Sequence, residues 1–303
     1  MFPISKALAL LCQLDIINDI NQEKNMPLQQ LVNHFNDRFE KEHHSSLHPF
    51  ILENSRVSGI FGPIRISSSF TPVRSAENHD QLTGHIAQFS VAPYDGFQHT
   101  SANSQNTSAD FQSIINLDRL SRTVHMLNYL PFSHLGGVLF LDVDPRHVVG
   151  VTSNHGAYFE EVIEKCGLAT KNVVISIAVN NFYALNHDEI LDGLQNYRQR
   201  GYQVALNIGH LYTANGLVDL ITKLSPDYLR VNAPGSGHDD LDVQITWPSA
   251  LSSLKELMDL VGGQTVLQQV DEKEQAFIVA TMGYKLVQGR YYDLLSVDHL
   301  RCL

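Results

Sequence analysis

From residue 111 onward, the alternation of apolar and polar positions divides the chain into helices and strands that take turns. One full unit lies between Tyr197 and Asn232. Val204, Ala205, Leu206 and Ile208 form a short apolar run, as in a strand buried on both faces. Leu217, Leu220, Ile221 and Leu224 follow at helical spacing, Ser225-Pro226 stops that helix, and 228–232 reads as the next strand. This order predicts a parallel crossover, whose functional groups gather at the carboxyl ends of the strands, here 207–210 and 230–232. The same rhythm predicts further helices over 111–129, 156–166, 187–200, 249–261 and 272–282, with 215–224 for the unit above. Strands are expected over 138–143, 173–179, 203–208, 228–232, 265–270 and 284–288.

Upstream the pattern changes. Residues 56–91 are β-rich, and the polar stretch 92–110 reads as an exposed loop. Two helices are expected over 4–22 and 27–43, the second from the stripe Leu28, Leu31, Phe35 and Phe39. Six strands alternating with helices, plus two more upstream, predict an α/β fold: a (β/α)8 TIM-like barrel over 51–303, preceded by a helical segment over 1–50. An open doubly wound sheet is the alternative, but the GxGxxG phosphate loop it often carries is absent.

Composition narrows the function classes. With 43% hydrophobic and 17% charged residues, the 303-residue chain reads as globular. A formal charge of −11 argues against nucleic acid or an anionic membrane as partner. No apolar run reaches the roughly 18 residues of a membrane span. Cys12, Cys166 and Cys302 form no CxxC pair, which points to free thiols in a reducing cytoplasm. Candidate chemistry is sparse. His43–Pro49 carries three histidines but reads as a turn. Asp142 and Asp144 sit two apart at a strand end, as a metal-gripping pair or as a turn-facing pair running into Pro145. His210 is either a general base or a loop histidine, and 232–240 is a Gly-rich turn without the GxxxxGK[ST] cradle.

Several phrases, in order, resemble the EAL domain, the bacterial family of cyclic di-GMP phosphodiesterases. LxxLSPDYLRVN (217–232) is similar to the family's L..LP.D.lKiD, and DEKEQAFIVATMGYKLVQGRYY (271–292) to its E-T-x-E-Q…lG.d..QGyyf ending. FTPV (70–73) is similar to the opening q-P-I-V. The resemblance covers roughly 70–292 and implies an EAL-type barrel. It also implies a site in which acidic strand-end residues hold two divalent metals that activate a water.

Carried over position by position, the site residues are replaced. GHIAQFS (84–90) places Ile86 at the name-giving ligand Glu and Ser90 at the substrate-contacting Arg. Asp142 stands at a ligand Asn; Ser176 and Val179 stand at the two Glu of l-E-i-T-E. Asn207 and Ile208 take the Asp pair, in a register open by one residue. Arg230 and Asn232 replace the Lys and Asp of K-I-D. Gln268 replaces the catalytic Glu, Gln269 the following Gly, and Asp271 approximates the outer Glu, while Gln288-Gly289 keeps the terminal Q-G. Hard divalent ions need carboxylates to offset their mutual repulsion. The expectation is therefore a degenerate EAL protein with no catalytic residue, no metal and no cofactor, which acts as a regulatory module on an unidentified protein partner. A non-hydrolysing cyclic di-GMP receptor, with Arg230 on a phosphate, is the second reading; a weak metal-dependent phosphodiesterase is the third. Homodimerisation stays open.

Overall fold

The structure, a computed structural model, describes residues 28–43, 48–94, 111–151, 154–179, 186–210, 216–235 and 241–296. The expected helix over 4–22, most of the loop 92–110 and of the turn 43–49, and the second half of the turn 232–240 lie outside the described residues.

Helix α1 (Leu28–His43) buries Leu31 and Phe35 of the expected stripe together with Val32, while Leu28 and Phe39 are half-buried. Its Asn36 clamps the first strand in both directions: Nδ2 donates to Phe50 O and Oδ1 accepts from Phe50 N, each at 2.9 Å. Strands β1 (Phe50–Glu53) and β2 (Arg56–Phe61) form a hairpin across Asn54 and Ser55, whose φ of 49° and 60° mark the primed turn that matches strand twist. Gly62 (φ 57°) then turns the chain into β3 (Ile64–Ser75). Only 76–81 separate β3 from β4 (Leu82–Pro93), too few for a crossover helix, so the two pair antiparallel.

The predicted alternation follows. Helix α2 (Phe111–Tyr129) and a 3-10 turn (Leu130–Leu135) lead to β5 (Val138–Val143). Next come α3 (Pro145–Gly150), α4 (Ala157–Lys165), β6 (Val173–Ala178), α5 (His187–Gln199) and β7 (Gln203–Gly209). Then follow α6 (Leu217–Leu224), β8 (Tyr228–Asn232), α7 (Leu241–Val261), β9 (Gln264–Gln268), α8 (Lys273–Met282), β10 (Leu286–Val287) and α9 (Arg290–Leu295).

Strands β3 to β10 close into an eight-stranded barrel, because β3 pairs both β10 and β4. The fold is the expected α/β barrel with one reversal: β3 runs antiparallel to both neighbours, while β4 to β10 are parallel. Other differences are local. Asp144 caps α3 where a turn was expected, α7 starts at 241 and carries Pro248 within it, and the last two strands are shorter than predicted. Val73, Ile86, Phe140, Val174, Ala205, Val266 and Leu286 fill the barrel, and a second apolar layer packs between sheet and helices.

Gly136 and Gly137 lead into β5 with φ of 76° and 83°. A Cβ on Gly136 meets nothing within 4 Å, whereas one on Gly137 would lie 2.4 Å from Thr83 O. Gly136→Ala, at φ 76° and ψ −176°, is expected to cost about 1–3 kcal/mol of backbone strain, and Gly137→Ala more. Urea midpoints of the two variants measure the difference; equal losses would contradict the packing.

Candidate functional site

The strand ends on one side of the barrel converge on a single guanidinium. Parallel pairing sets Asp142 of β5 beside Ser176 of β6, Asn207 of β7 beside Arg230 of β8, and Asn232 beside Gln268 of β9. These side chains share the inward parity of the residues that fill the barrel. Arg230 Nη1 donates to Asp142 Oδ1 and, at 2.7 Å, to Ser176 Oγ. Its Nε donates to Gln268 Oε1 at 2.9 Å, and its Cζ lies 5.8 Å from the centre of the Phe140 ring below. Gln268 Nε2 passes the network on to Asn232 Oδ1 (3.2 Å) and Asn207 Oδ1 (3.5 Å). Asn232 Nδ2 faces His210 Nε2 at 3.3 Å.

The electrostatics follow from burial. Arg230 is 4% exposed, and its charge is tolerable there because an anion and two oxygen acceptors meet it. Asp142 keeps 52% of its side chain in solvent, so the pair has a dry cation and a wet anion. Arg230 is thus tied by Nε and Nη1 into the wall of the mouth.

The structure places the other sequence-selected residues as follows. Ile86 lies one layer deeper, level with Phe140 in the apolar interior, and is 2% exposed. Strand β7 carries a bulge at Asn207 and Ile208. Asn207 turns into the mouth, and Ile208 is buried in the outer core. Val179 packs on that outer core as well. Ser90 sits on exposed β4 and pairs with Ser67 Oγ at 2.7 Å. Asp142 and Asp144 do not act as a pair: Asp144 accepts from Arg146 N and Nε, both at 2.9 Å, and caps α3. Asp271 Oδ1 accepts from Arg290 N at 2.8 Å, at the start of α9. Gln288 Oε1 accepts from Gln269 N at 3.3 Å. Gln269 has φ 58°, the left-handed backbone that a glycine at that position would favour. Among the described residues, no group of three His, Cys, Asp or Glu side chains is placed to share a metal ion.

A second polar cluster escaped the sequence reading. Between α2 and its neighbouring helices, Arg122 is 1% exposed, pairs with Asp118, donates to Tyr197 Oη at 3.3 Å and lies 3.9 Å over the Phe159 ring. His147 Nε2 accepts from Arg122 Nη2 at 3.1 Å. Its Nδ1 lies 3.1 Å from Asp118 Oδ2 without the alignment of a hydrogen bond. The signal was Asp118 and Arg122 at i, i+4 on the helix expected over 111–129.

No protein-family model and no curated protein matches the sequence. Solved structures do match by shape. BlrP1 of Klebsiella pneumoniae, a calcium and cyclic di-GMP complex, is 16% identical over 74% of this chain, with a TM-score of 0.56. YkuI of Bacillus subtilis, with an EAL domain, in complex with cyclic di-GMP and calcium, is 19% identical over 75% of this chain, with a TM-score of 0.57. The fold is that of the EAL domain. A standalone EAL protein from Vibrio cholerae, bound to cyclic di-GMP, is 14% identical over 75% of this chain and 90% of its own, at a TM-score of 0.54. The present chain covers 54% of the BlrP1 and YkuI chains, about half their length. Among the described residues no helix is long and apolar enough to cross a membrane.

Two outcomes are expected. Arg230→Ala leaves Ser176 and Gln268 without their charged donor, and chemical denaturation should register a loss of about 2 kcal/mol; an unchanged midpoint would show that the network contributes nothing. Burial lowers His85 and His125 from 6.5 to about 4, with Arg74 adding to the effect on His85, and lowers His147 to about 2. The neutral rings are favoured in the folded chain, so their contribution is complete above pH 6.5 and is lost as pH falls from 6.5 towards 4. Urea titrations across that window should show stability declining with acidification, and a flat profile would contradict the burial.

Proposed function

We propose that this chain is a non-hydrolysing EAL-fold protein of cyclic di-GMP signalling that regulates by engaging a protein partner. The observation that carries the reading is the placement of Arg230, whose guanidinium lies among Asp142, Ser176 and Gln268. The metals implied by the fold family do not fit this donor set. Two divalent ions need several carboxylates, and Asp142, the one carboxylate in this ring among the described residues, already faces the fixed cation Arg230. A metal seated there would meet a positive charge within the same hydrogen-bonded shell. Gln268 stands where the family's resemblance implies a general base, and an amide accepts no proton at neutral pH. With neither base nor metal, no water is activated.

A second reading, a receptor for cyclic di-GMP, draws support from the relatives that carry that nucleotide in their structures. Incubation of the protein with cyclic di-GMP and Mg²⁺ or Mn²⁺ should give no linear product. Turnover that disappears in Asp142→Ala would overturn the proposal. A calorimetric titration with the nucleotide separates the two readings: micromolar binding without hydrolysis replaces the partner-binding role with the receptor role.

A further inference from the structure

The geometry points to a small organic cation, a protonated amine carried on an apolar body, as the ligand of a cavity between α2 and the ends of β4, β5 and β6. This inference goes beyond the partner-binding reading and does not rest on it. The cavity measures about 340 Å³. A dry cavity of about 150 Å³ already holds benzene, so this one has room for a ring and a short chain. Helix α2 supplies one wall with Ile114, Leu117, Asp118 and Ser121, a single stripe at i, i+3, i+4 and i+7. Phe89 of β4, Pro145 after β5 and Ala178 at the end of β6 add apolar surface to the other walls.

The charged groups that reach this cavity are unequal in sign. Among the described residues, Asp118, Asp142 and Asp144 line it beside one guanidinium, that of Arg146. Arg146 is already held by Asp144, with Nε 2.9 Å from Oδ1 and Nη2 2.6 Å from Oδ2. The cations that answer Asp118 and Asp142 are Arg122 and Arg230, which are 1% and 4% exposed and stand behind the wall, outside the lining. The cavity therefore presents anions while their partners face away from it.

Two carboxylate oxygens remain to be used. Arg230 reaches Asp142 at Oδ1, and among the described residues no donor reaches Oδ2 of this half-exposed side chain. Asp118 is 7% exposed; its Oδ1 accepts from Asp144 N at 3.2 Å, but its Oδ2 receives no aligned hydrogen bond. Burial holds the Asp118 carboxyl above the ordinary carboxylate range, against the opposing pull of Arg122. An ammonium head can donate to Asp142 Oδ2 and lessen the field at Asp118, while its apolar body covers Phe89, Leu117 and Pro145. An anion would instead meet three carboxylates. A net charge of −11 draws cations towards the chain as a whole.

The test uses the full chain and three ligands of one shape: 2-phenylethylamine, 2-phenylethanol and 3-phenylpropionate. Calorimetric titration should give saturable binding of the amine, with the alcohol at least about tenfold weaker and no uptake of the carboxylate. Added salt should weaken the amine. Asp142→Asn removes the charge but keeps an oxygen for Arg230, and should bring the amine down to the level of the alcohol. Ala178→Trp fills the cavity from an exposed position; it should keep the melting temperature and abolish binding. In the wild type, the methyl resonances of Ile114 and Leu117 should shift with the amine and not with the carboxylate. No uptake of the amine would overturn the proposal, as would equal affinity for the three ligands or binding that survives Ala178→Trp. Hydrolysis of cyclic di-GMP by a protein that still takes up the amine would refute the non-hydrolysing reading and leave this one intact.

Discussion

A buried positive charge must be answered wherever a chain places it, and here the answer organises the barrel mouth. Arg230 enters from β8, and its bonds reach Asp142, Ser176 and Gln268 on three other strands. The desolvation cost of a guanidinium is several kcal/mol when unmet. The surrounding strand ends are consequently polar and neutral, apart from the one carboxylate. Gln268 then carries the same network to Asn207 and Asn232. The mouth becomes a hydrogen-bonded wall that supplies its own cation, which is chemically different from a cluster of anions waiting for metals.

The barrel beneath supports this arrangement through layering. Ile86, Phe140, Val174, Ala205, Val266 and Leu286 form the apolar floor, and the polar groups occur where the strands run out. Parallel pairing from β4 to β10 brings residues distant in sequence, such as Asp142 and Arg230, to the same height. The reversed β3 does something else. By running past the barrel rim with β4, it carries β1 and β2 and gives α1 and α2 a sheet to pack on. The region before the alternating units is therefore joined to the barrel by continuous hydrogen bonding and by Leu31, Val32 and Phe35 in one core.

Much of this was legible because parallel strands and amphipathic helices leave strong periodic traces. The apolar run 204–208 and the stripe 217–224 became β7 and α6 with shifts of at most two residues. The fold class was readable for the same reason. The direction of β3 was also available, since 76–81 are too short for a crossover, but counting strands does not reveal their sense. Side-chain partnerships were less accessible. That Arg230 and Asp142 pair depends on three intervening register steps, and the burial of Arg122 depends on helices packing over it. The side-chain directions at Asn207 and Ile208 required seeing the bulge, because a one-residue slip reverses every side chain.

Manganese binding is the most direct test of the central claim, that an internal guanidinium takes the place of metals in this mouth. Electron paramagnetic resonance counts free Mn²⁺ as the ion is titrated into the purified protein. The account predicts that the free-ion signal rises in step with added Mn²⁺, with no stoichiometric uptake below millimolar concentration. Two ions bound per chain at micromolar concentration, lost on Asp142→Ala, would contradict it.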